Sequence, residues 1–137
     1  MAEFTISSEK KSTVSPINKL FEFLADFKNF DSVLPHDKIE DFTFKDNECS
    51  FNIKGITPIT IKLAEKTPYE FMLFTSDGLA KFNFKLKVHF MGEATETGEC
   101  KVELIGDLNP FIKIMAEKPL TNLVNQISLK LSELQLN

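Results

Sequence analysis

Two histidines are the residues of this chain best suited to acid–base chemistry, and each stands apart from other candidate groups. His36 lies in the polar segment 34–37, and His89 lies between Val88 and Phe90 in a stretch of alternating polarity. Imidazole serves as a general base or a metal ligand when carboxylates or further ligands occur at a matching spacing. Neither histidine has such neighbours. We therefore expect both side chains on the surface, and we predict no catalytic residue and no metal site.

Cys49 and Cys100 raise the question of a metal site or a redox pair. They are far apart in the sequence, without CxxC spacing and without a histidine nearby. Metal sites and redox pairs built from cysteine depend on close ligand spacing. The pattern instead favours two reduced, buried thiols, and it implies no cofactor.

The charge composition argues against nucleic acid as a partner. The formal net charge is −4, the isoelectric point is about 5.2, and all 16 basic residues are lysine. An acidic chain lacks the attraction that drives binding to a polyanion, and without arginine it lacks the planar fork that grips phosphate and guanine. Lys81, Lys85 and Lys87 form a basic row with His89 on one predicted strand. The row would suit an anionic partner or a membrane surface, but a solvated sheet face is the favoured interpretation.

Length and hydropathy favour one soluble domain. The chain has 137 residues, of which 42% are hydrophobic, and no apolar run approaches the length that crosses a bilayer. The first residues lack the basic flank, apolar stretch and cleavage site of a signal peptide. We predict a single domain over residues 1–137, a cytoplasmic location, no stable membrane anchoring, and a monomer or weak homodimer.

The aromatic residues are almost all phenylalanine, with 14 Phe, one Tyr and no Trp. Phenylalanine adds a large apolar area and no hydrogen-bonding group. An interior enclosed by these side chains would be dry.

The N-terminal third of the chain has helical periodicity. Ser15 and Pro16 are typical of a helix start, with Ser15 as N-cap, and the apolar spacing predicts a helix over residues 16–28. Residues 29–34 predict a further short helical turn that ends before Pro35, because the residue before proline avoids the α region.

The middle of the chain has the period of β-strands. From residue 39 to residue 107 apolar residues alternate with polar ones, and turn residues separate the runs. Together with an N-terminal strand over residues 4–10, the pattern predicts seven strands. The short connections make neighbouring strands antiparallel.

The C-terminal helix, which Asn109 and Pro110 begin, carries two apolar faces that do not coincide. At about 100° per residue, Phe111 and Met115 project away from the main apolar stripe. Pro119 lies between the two sets and lacks an N–H for the Met115 carbonyl. The pattern predicts a kink or break near residues 116–119, with residues 109–115 as a separate segment closing the interior. That segment is either a gate or part of a bend without a gating role. The main stripe comprises Ala116, Leu120, Leu123, Val124, Ile127, Leu131 and Leu134.

This order of elements resembles the START-like or SRPBCC superfamily, which includes birch pollen allergen, lipid-transfer START domains and polyketide cyclases. The residues that carry the resemblance are Ser15-Pro16, Leu24-Ala25-Asp26, Asn29-Phe30, Leu34-Pro35 and the segment 106–111. The resemblance covers the whole chain. It implies an α+β helix-grip fold, in which a curved seven-stranded antiparallel sheet wraps around a long C-terminal helix and two short helices lie between strands 1 and 2. It also implies a cavity between sheet and helix, often used for lipids, sterols or polycyclic aromatics.

Ten apolar residues are predicted to line this space and to bind an apolar small molecule. They are the inward members of strand alternations or lie on the C-terminal helix: Phe51, Ile61, Phe84, Leu86, Val102, Phe111, Met115, Leu123, Val124 and Ile127. Because side chains alternate across a strand, certain neighbours should be exposed. These neighbours are Asn52, Lys62, Lys85, Lys87 and Lys101.

Three functions remain open from the sequence. The first is a non-catalytic binding or carrier protein for an apolar small molecule. The second is an enzyme of the cyclase or hydratase type, using polar groups such as Tyr69, Asn109 or Thr121. The third is a protein-interaction module with a filled core, which recognises its partner through residues 30–34 or the long helix.

Overall fold

The computed structural model describes residues 2–53, 58–76, 83–108 and 110–136, and within these ranges an antiparallel sheet packs against three helical elements. The strands are β1 (Ala2–Ser7), β2 (Lys11–Ser12), β3 (Ile39–Lys45), β4 (Glu48–Ile53), β5 (Pro58–Thr67), β6 (Phe71–Ser76), β7 (Asn83–Met91) and β8 (Glu99–Leu108). The helices are α1 (Ile17–Leu24), a 3₁₀ helix (Phe27–Val33) and α2 (Pro110–Glu133).

The sheet has the strand order β1-β8-β7-β6-β5-β4-β3, so the predicted ladder of seven antiparallel strands is confirmed. The predicted strand over residues 4–10 differs in detail, because it divides into β1 and the two-residue β2, both paired with β8. Ser8 joins them. Its N–H donates to the Val102 carbonyl at 2.8 Å, and its Oγ accepts from the Val102 N–H at 2.9 Å.

Strand parity follows the sequence alternation. On β7 the buried residues are Phe84, Leu86, Val88 and Phe90, which face the helices. Lys62 and Lys85 are exposed as predicted, whereas Asn52, Lys87 and Lys101 point to the same outer side but are half-buried. A slip of one residue would have reversed every one of these positions.

Helix α1 is shorter than the predicted helix over residues 16–28. It ends at Leu24 because Asp26 is extended, with φ −101° and ψ 114°, and its side chain caps the following 3₁₀ helix by accepting from the Lys28 N–H at 3.1 Å. The stop before Pro35 is confirmed, since Leu34 has the extended ψ of 147°.

The predicted N-cap role of Ser15 is wrong. Pro16 occupies the cap position and no side chain caps α1. The N–H groups of Ile17 and Asn18 instead donate to carbonyl oxygens in the loop between β7 and β8, at 3.0 and 2.8 Å. Backbone acceptors from a distant loop therefore satisfy the start of this helix, which leaves the Ser15 hydroxyl available for another contact.

The sequence predicted a kink or break in the C-terminal helix, and the break is wrong, because α2 runs without interruption through Pro119. Residues 110–115 belong to this helix, so no separate segment exists to act as a gate, and Asn109 lies outside the described residues. Met115 is on the exposed side of the helix, where water can bond the carbonyl that Pro119 leaves without an N–H donor. Packing of the buried stripe on both sides of Pro119, at Ala116 and Leu120, holds the helical path.

The core lies between the concave side of the sheet, α1, the 3₁₀ helix and α2. Its centre contains three mutually packed rings, with centroid distances of 5.7 Å for Phe27–Phe30, 5.8 Å for Phe27–Phe74 and 5.3 Å for Phe30–Phe74. Within the described ranges neither α-helix has the length and apolarity to cross a membrane.

Candidate apolar binding site

Eight of the ten predicted lining residues come together between the sheet and α2. These eight are buried and belong to one contiguous apolar cluster: Phe51, Ile61, Phe84, Leu86, Val102, Leu123, Val124 and Ile127. Strand alternation directs the first five inward, and the 3.6-residue period of α2 directs the last three toward the sheet. The surface they form is the best candidate for contact with an apolar ligand.

Phe111 and Met115, the other two predicted lining residues, are not in this cluster. Their side chains are 74% and 57% exposed. The prediction that they close the interior is wrong because α2 is continuous, so a face directed away from the buried stripe must point into solvent.

The eight residues of the candidate site are apolar, and among the described residues the nearest buried polar side chain is Ser128, beside Ile127 on α2. In the described part of the chain the buried polar side chains are all hydroxyl groups: Ser8, Thr13, Ser15, Ser128 and Ser132. They lie where the segment before α1 meets β8 and the C-terminal half of α2. Thr13 Oγ1, for example, donates to the Ser15 carbonyl at 3.0 Å and accepts from the Gly98 N–H at 2.9 Å. The hydroxyls of Ser8, Thr13 and Ser15 therefore join chain segments. Ser132 Oγ instead donates to the Leu129 carbonyl within α2, and Ser128 Oγ is buried without a hydrogen-bond partner.

The two buried thiols fit the predicted reduced cysteines. Burial raises the pKa of the Cys49 thiol from 9.0 to about 12, and the nearby Glu48 carboxylate contributes to the rise. Burial also raises the pKa of the Cys100 thiol to about 11, although contact with Ser128 opposes part of that change. At neutral pH both are therefore protonated, and a protonated buried thiol is a poor nucleophile.

Both histidines lie where the sequence predicted them. His36 Nε2 is exposed, 2.7 Å from the Asp31 carbonyl oxygen and 3.2 Å from its carboxylate. His89 Nε2 lies on the outer face of the sheet, 3.5 Å from Glu103 Oε1. Neither imidazole faces the apolar interior.

Two of the three polar groups considered for an enzyme, Thr121 and Tyr69, lie within the described residues, and their hydroxyls donate outside the apolar cluster. The Thr121 hydroxyl donates to the Glu117 carbonyl at 2.7 Å within α2. The Tyr69 hydroxyl donates to Glu22 Oε1 at 3.5 Å, and its ring packs edge-on against Phe21 at 5.6 Å. The two Tyr69 contacts hold the turn between β5 and β6 against α1.

An open cleft of about 460 Å³ lies over the ends of β1, β6, β7 and β8. Two members of the predicted basic row, Lys85 and Lys87, line it together with Glu3 and Asp107, so its charges are balanced. Lys81, the first member of that row, lies outside the described residues. Because the cleft is open and carries both charge signs, it offers neither the burial an apolar ligand needs nor a field that selects an ion.

Sequence reasoning missed Ile114, which is 79% exposed beside Phe111 and Met115. The signal was present, since residues 111, 114 and 115 have the spacing of one helix face. It was overlooked because the predicted break assigned this segment to the interior.

Comparison with known proteins supports the fold. No family model and no curated protein matches the sequence. Among solved structures, norcoclaurine synthase from Thalictrum flavum aligns with a TM-score of 0.67 at 11% identity, covering 93% of this chain and 86% of that chain. A point mutant of that synthase, in complex with a transition-state analogue, aligns with a TM-score of 0.67 at 8% identity over 94% and 96% of the two chains.

A bacterial structure gives the same result. The protein XoxI from Bacillus cereus aligns with a TM-score of 0.59 at 15% identity, covering 96% of this chain and 94% of that chain. Identities this low establish the fold and leave function open. With its curved antiparallel sheet and long C-terminal helix, the chain has the helix-grip fold that the resemblance to the START-like (SRPBCC) superfamily implied.

Proposed function

We propose that this protein binds an apolar small molecule between the concave side of the sheet and α2, without covalent chemistry. The observation that carries the proposal is the uniform apolarity of that surface, to which five inward strand residues and three α2 residues contribute. Such a surface would select ligands by the apolar area that they bury against it. Covering ~300 Å² of apolar ligand area would contribute roughly 7 kcal/mol before the costs of association, which corresponds to modest affinity.

The chemistry of the interior supports binding over catalysis. General acid–base catalysis needs a titratable group within hydrogen-bond reach of the substrate. The described histidines and Thr121 make their polar contacts away from the apolar cluster, and the hydroxyl of Tyr69, whose ring packs against the cluster, donates outward to Glu22. The fold also occurs in a synthase, whereas the described residues of the candidate site include no titratable group.

A protein-interaction module with a filled core is the second candidate. The contacts among Phe27, Phe30 and Phe74 favour it, because rings packed this closely occupy part of the interior themselves. In that case the apolar cluster would only stabilise the fold, and recognition would occur on the surface.

Native mass spectrometry of protein purified from its own host tests the proposal. We expect an adduct whose mass disappears on extraction with organic solvent, and we expect the extracted protein to bind an apolar probe such as anilinonaphthalene sulfonate. Absence of an adduct, together with a folded protein that binds no probe, would favour the interaction module.

A filling substitution separates the two candidates further. Leu123→Phe adds volume on the face of α2 directed at the sheet. If a ligand occupies space there, the variant should keep its thermal stability and lose probe affinity. If the interior is filled, overpacking should destabilise the fold by about 1–3 kcal/mol. Ile127→Phe, one turn farther along α2, repeats the test at a second residue of the candidate site.

A further inference from the structure

The first two turns of α2 expose three large apolar side chains on one face, which we call the apolar ridge: Phe111, Ile114 and Met115. Their exposed fractions are 74%, 79% and 57%. Residues spaced i, i+3 and i+4 lie side by side on a helix, so the three form a continuous surface. Exposed apolar patches of this kind commonly mark a site of interaction.

The ridge is directed away from the body of the protein. At about 100° per residue, Ala116 and Leu120 lie about 140° and 180° around the helix from Phe111, and both are buried. The ridge therefore occupies nearly the opposite side of α2 from the packed stripe. It is convex, because it is the outer surface of a helix, and a convex surface does not enclose a ligand.

One lysine lies in line with the ridge. Lys118 is exposed one turn after Ile114 on the same face. Lys113 lies about 160° around the axis from Phe111, on the packed side of α2, with its Nζ 6.0 Å from the centroid of the Phe4 ring. The exposed Glu117 follows Ile114 by three residues and lies beside the ridge, so the local charge is balanced. Apolar tips with an adjacent lysine match a lipid interface, where the lysine stem extends toward the headgroups while apolar side chains enter the acyl region.

We propose that the apolar ridge docks the protein reversibly onto a lipid surface. The inference rests on the proposed function, since a carrier of an apolar molecule must exchange with the phase into which that molecule partitions. Three side chains provide weak, reversible contact rather than anchoring. With a net charge of −4 the protein as a whole is repelled by anionic lipid, so docking depends on insertion of the ridge, to which Lys118 adds only a local contribution.

A lipid surface fits the ridge better than a second copy of the chain does. Stable protein interfaces bury about 1,000 Å² or more in total. A contact limited to three side chains over two turns of a helix is smaller than that. Insertion into lipid needs no complementary partner surface, and each side chain contributes separately.

A tryptophan reporter tests the docking directly, because the chain has no Trp of its own. In Phe111→Trp we expect a blue shift of emission on addition of phosphatidylcholine vesicles, and quenching when the lipids are brominated. Phe44→Trp, at a residue that is 54% exposed on β3, is the control and should show neither change. Emission of the Phe111→Trp variant that is unchanged by vesicles overturns the proposal.

A second experiment removes the ridge. The variant F111Q/I114Q/M115Q keeps residues compatible with a helix and should fold. In vesicle flotation we expect its partitioning to fall by roughly tenfold or more relative to the wild type. Leu129→Gln, at the opposite end of the same helix and partly exposed, should partition like the wild type. Equal partitioning of wild type and triple variant overturns the proposal.

Two further measurements distinguish lipid docking from dimerisation and from failure of the proposed function. Sedimentation that shows a concentration-dependent dimer of the wild type and a monomeric triple variant would identify the ridge as an interface between copies and overturn lipid docking. Binding of the apolar probe in solution should be equal in wild type and triple variant. Vesicle binding without probe binding would mean that the proposed function fails while the docking surface stands, and the reverse would mean that the docking surface alone fails.

Discussion

The Ser15 hydroxyl donates a hydrogen bond of 2.6 Å to the carbonyl oxygen of Leu134, just beyond the end of α2. Ser15 Oγ in turn accepts from the Leu136 N–H at 2.7 Å. One buried side chain before α1 thus satisfies two backbone groups at the C-terminal end of the chain. Helix ends leave carbonyl groups without intrahelical partners, so this contact replaces a conventional C-cap.

Ser15→Ala is expected to destabilise the protein by about 1–3 kcal/mol, because it leaves a part-buried carbonyl and N–H without their partner. Urea unfolding followed by circular dichroism measures the change. Ser12→Ala, at an exposed residue on β2, is the control and should alter stability by less than about 0.5 kcal/mol. Equal effects of the two substitutions would contradict a role for the Ser15 contact.

Gly106 and Phe4 are opposite each other on β8 and β1, and the ring of Phe4 covers the glycine. A Cβ at residue 106 would lie 2.5 Å from Cε1 of that ring. Gly106→Ala should therefore cost about 1–3 kcal/mol of stability through overpacking. Phe4→Leu in the same chain should recover part of this loss, as measured by a double-mutant cycle of unfolding free energies. Strictly additive losses would show that the ring does not limit residue 106.

The raised thiol pKa values predict both slow reactivity and a pH dependence. Between pH 9 and about 11 to 12 the unfolded chain loses thiol protons that the folded protein retains. The free energy of unfolding therefore has the full contribution of the two protonated thiols below about pH 9, and this contribution decreases as the pH rises through this window. Cys49→Ala with Cys100→Ala should flatten the dependence. At pH 8 the folded wild type should react slowly with dithiobisnitrobenzoate, and rapid labelling would contradict burial.

Phe74 contacts both Phe27 and Phe30, which ties β6 to the 3₁₀ helix. Phe74→Ala should destabilise the fold by about 3–5 kcal/mol, because it removes a fully buried ring and leaves a cavity. Phe44→Ala makes the same chemical change at an exposed position and should cost far less. Thermal unfolding of the two variants provides the comparison, and similar midpoints would be inconsistent with this packing.

Pro119→Ala is expected to stabilise the protein, since it restores an N–H for the Met115 carbonyl within a continuous helix. The gain should be below the roughly 3 kcal/mol cost of an interior proline, because proline also restricts the unfolded chain. Differential scanning calorimetry should show a higher midpoint. A lower midpoint would indicate that Pro119 is required for the path of α2.

The sequence predicted the strands and their inward sides with success, because each strand has one buried face. On β7 the alternation of Phe84, Leu86 and Val88 with lysines leaves one parity that buries the apolar side chains. The stripe from Leu120 to Ile127 was predictable for the same reason at the helical period. These features depend on the order of residues along one element, so they need no knowledge of its neighbours.

The tertiary structure determined the features that depend on which distant segments a helix or strand contacts. Ser15 has the composition of an N-cap, but the loop between β7 and β8 supplies carbonyl oxygens to α1, and the end of α2 lies beside the hydroxyl. Local preference at a helix start is worth about 1 kcal/mol, which contacts from distant segments readily exceed.

The path of α2 is the other case. Pro119 and two apolar faces favour a break when the segment is considered alone, yet packing of Ala116 and Leu120 on either side of the proline keeps the helix continuous. Phe111 and Met115 then face solvent. The sequence by itself determined which residues are apolar and which share a face, whereas only the packed structure determined which of the two faces of α2 meets the sheet, because a continuous helix can bury one of them there and must leave the other outside.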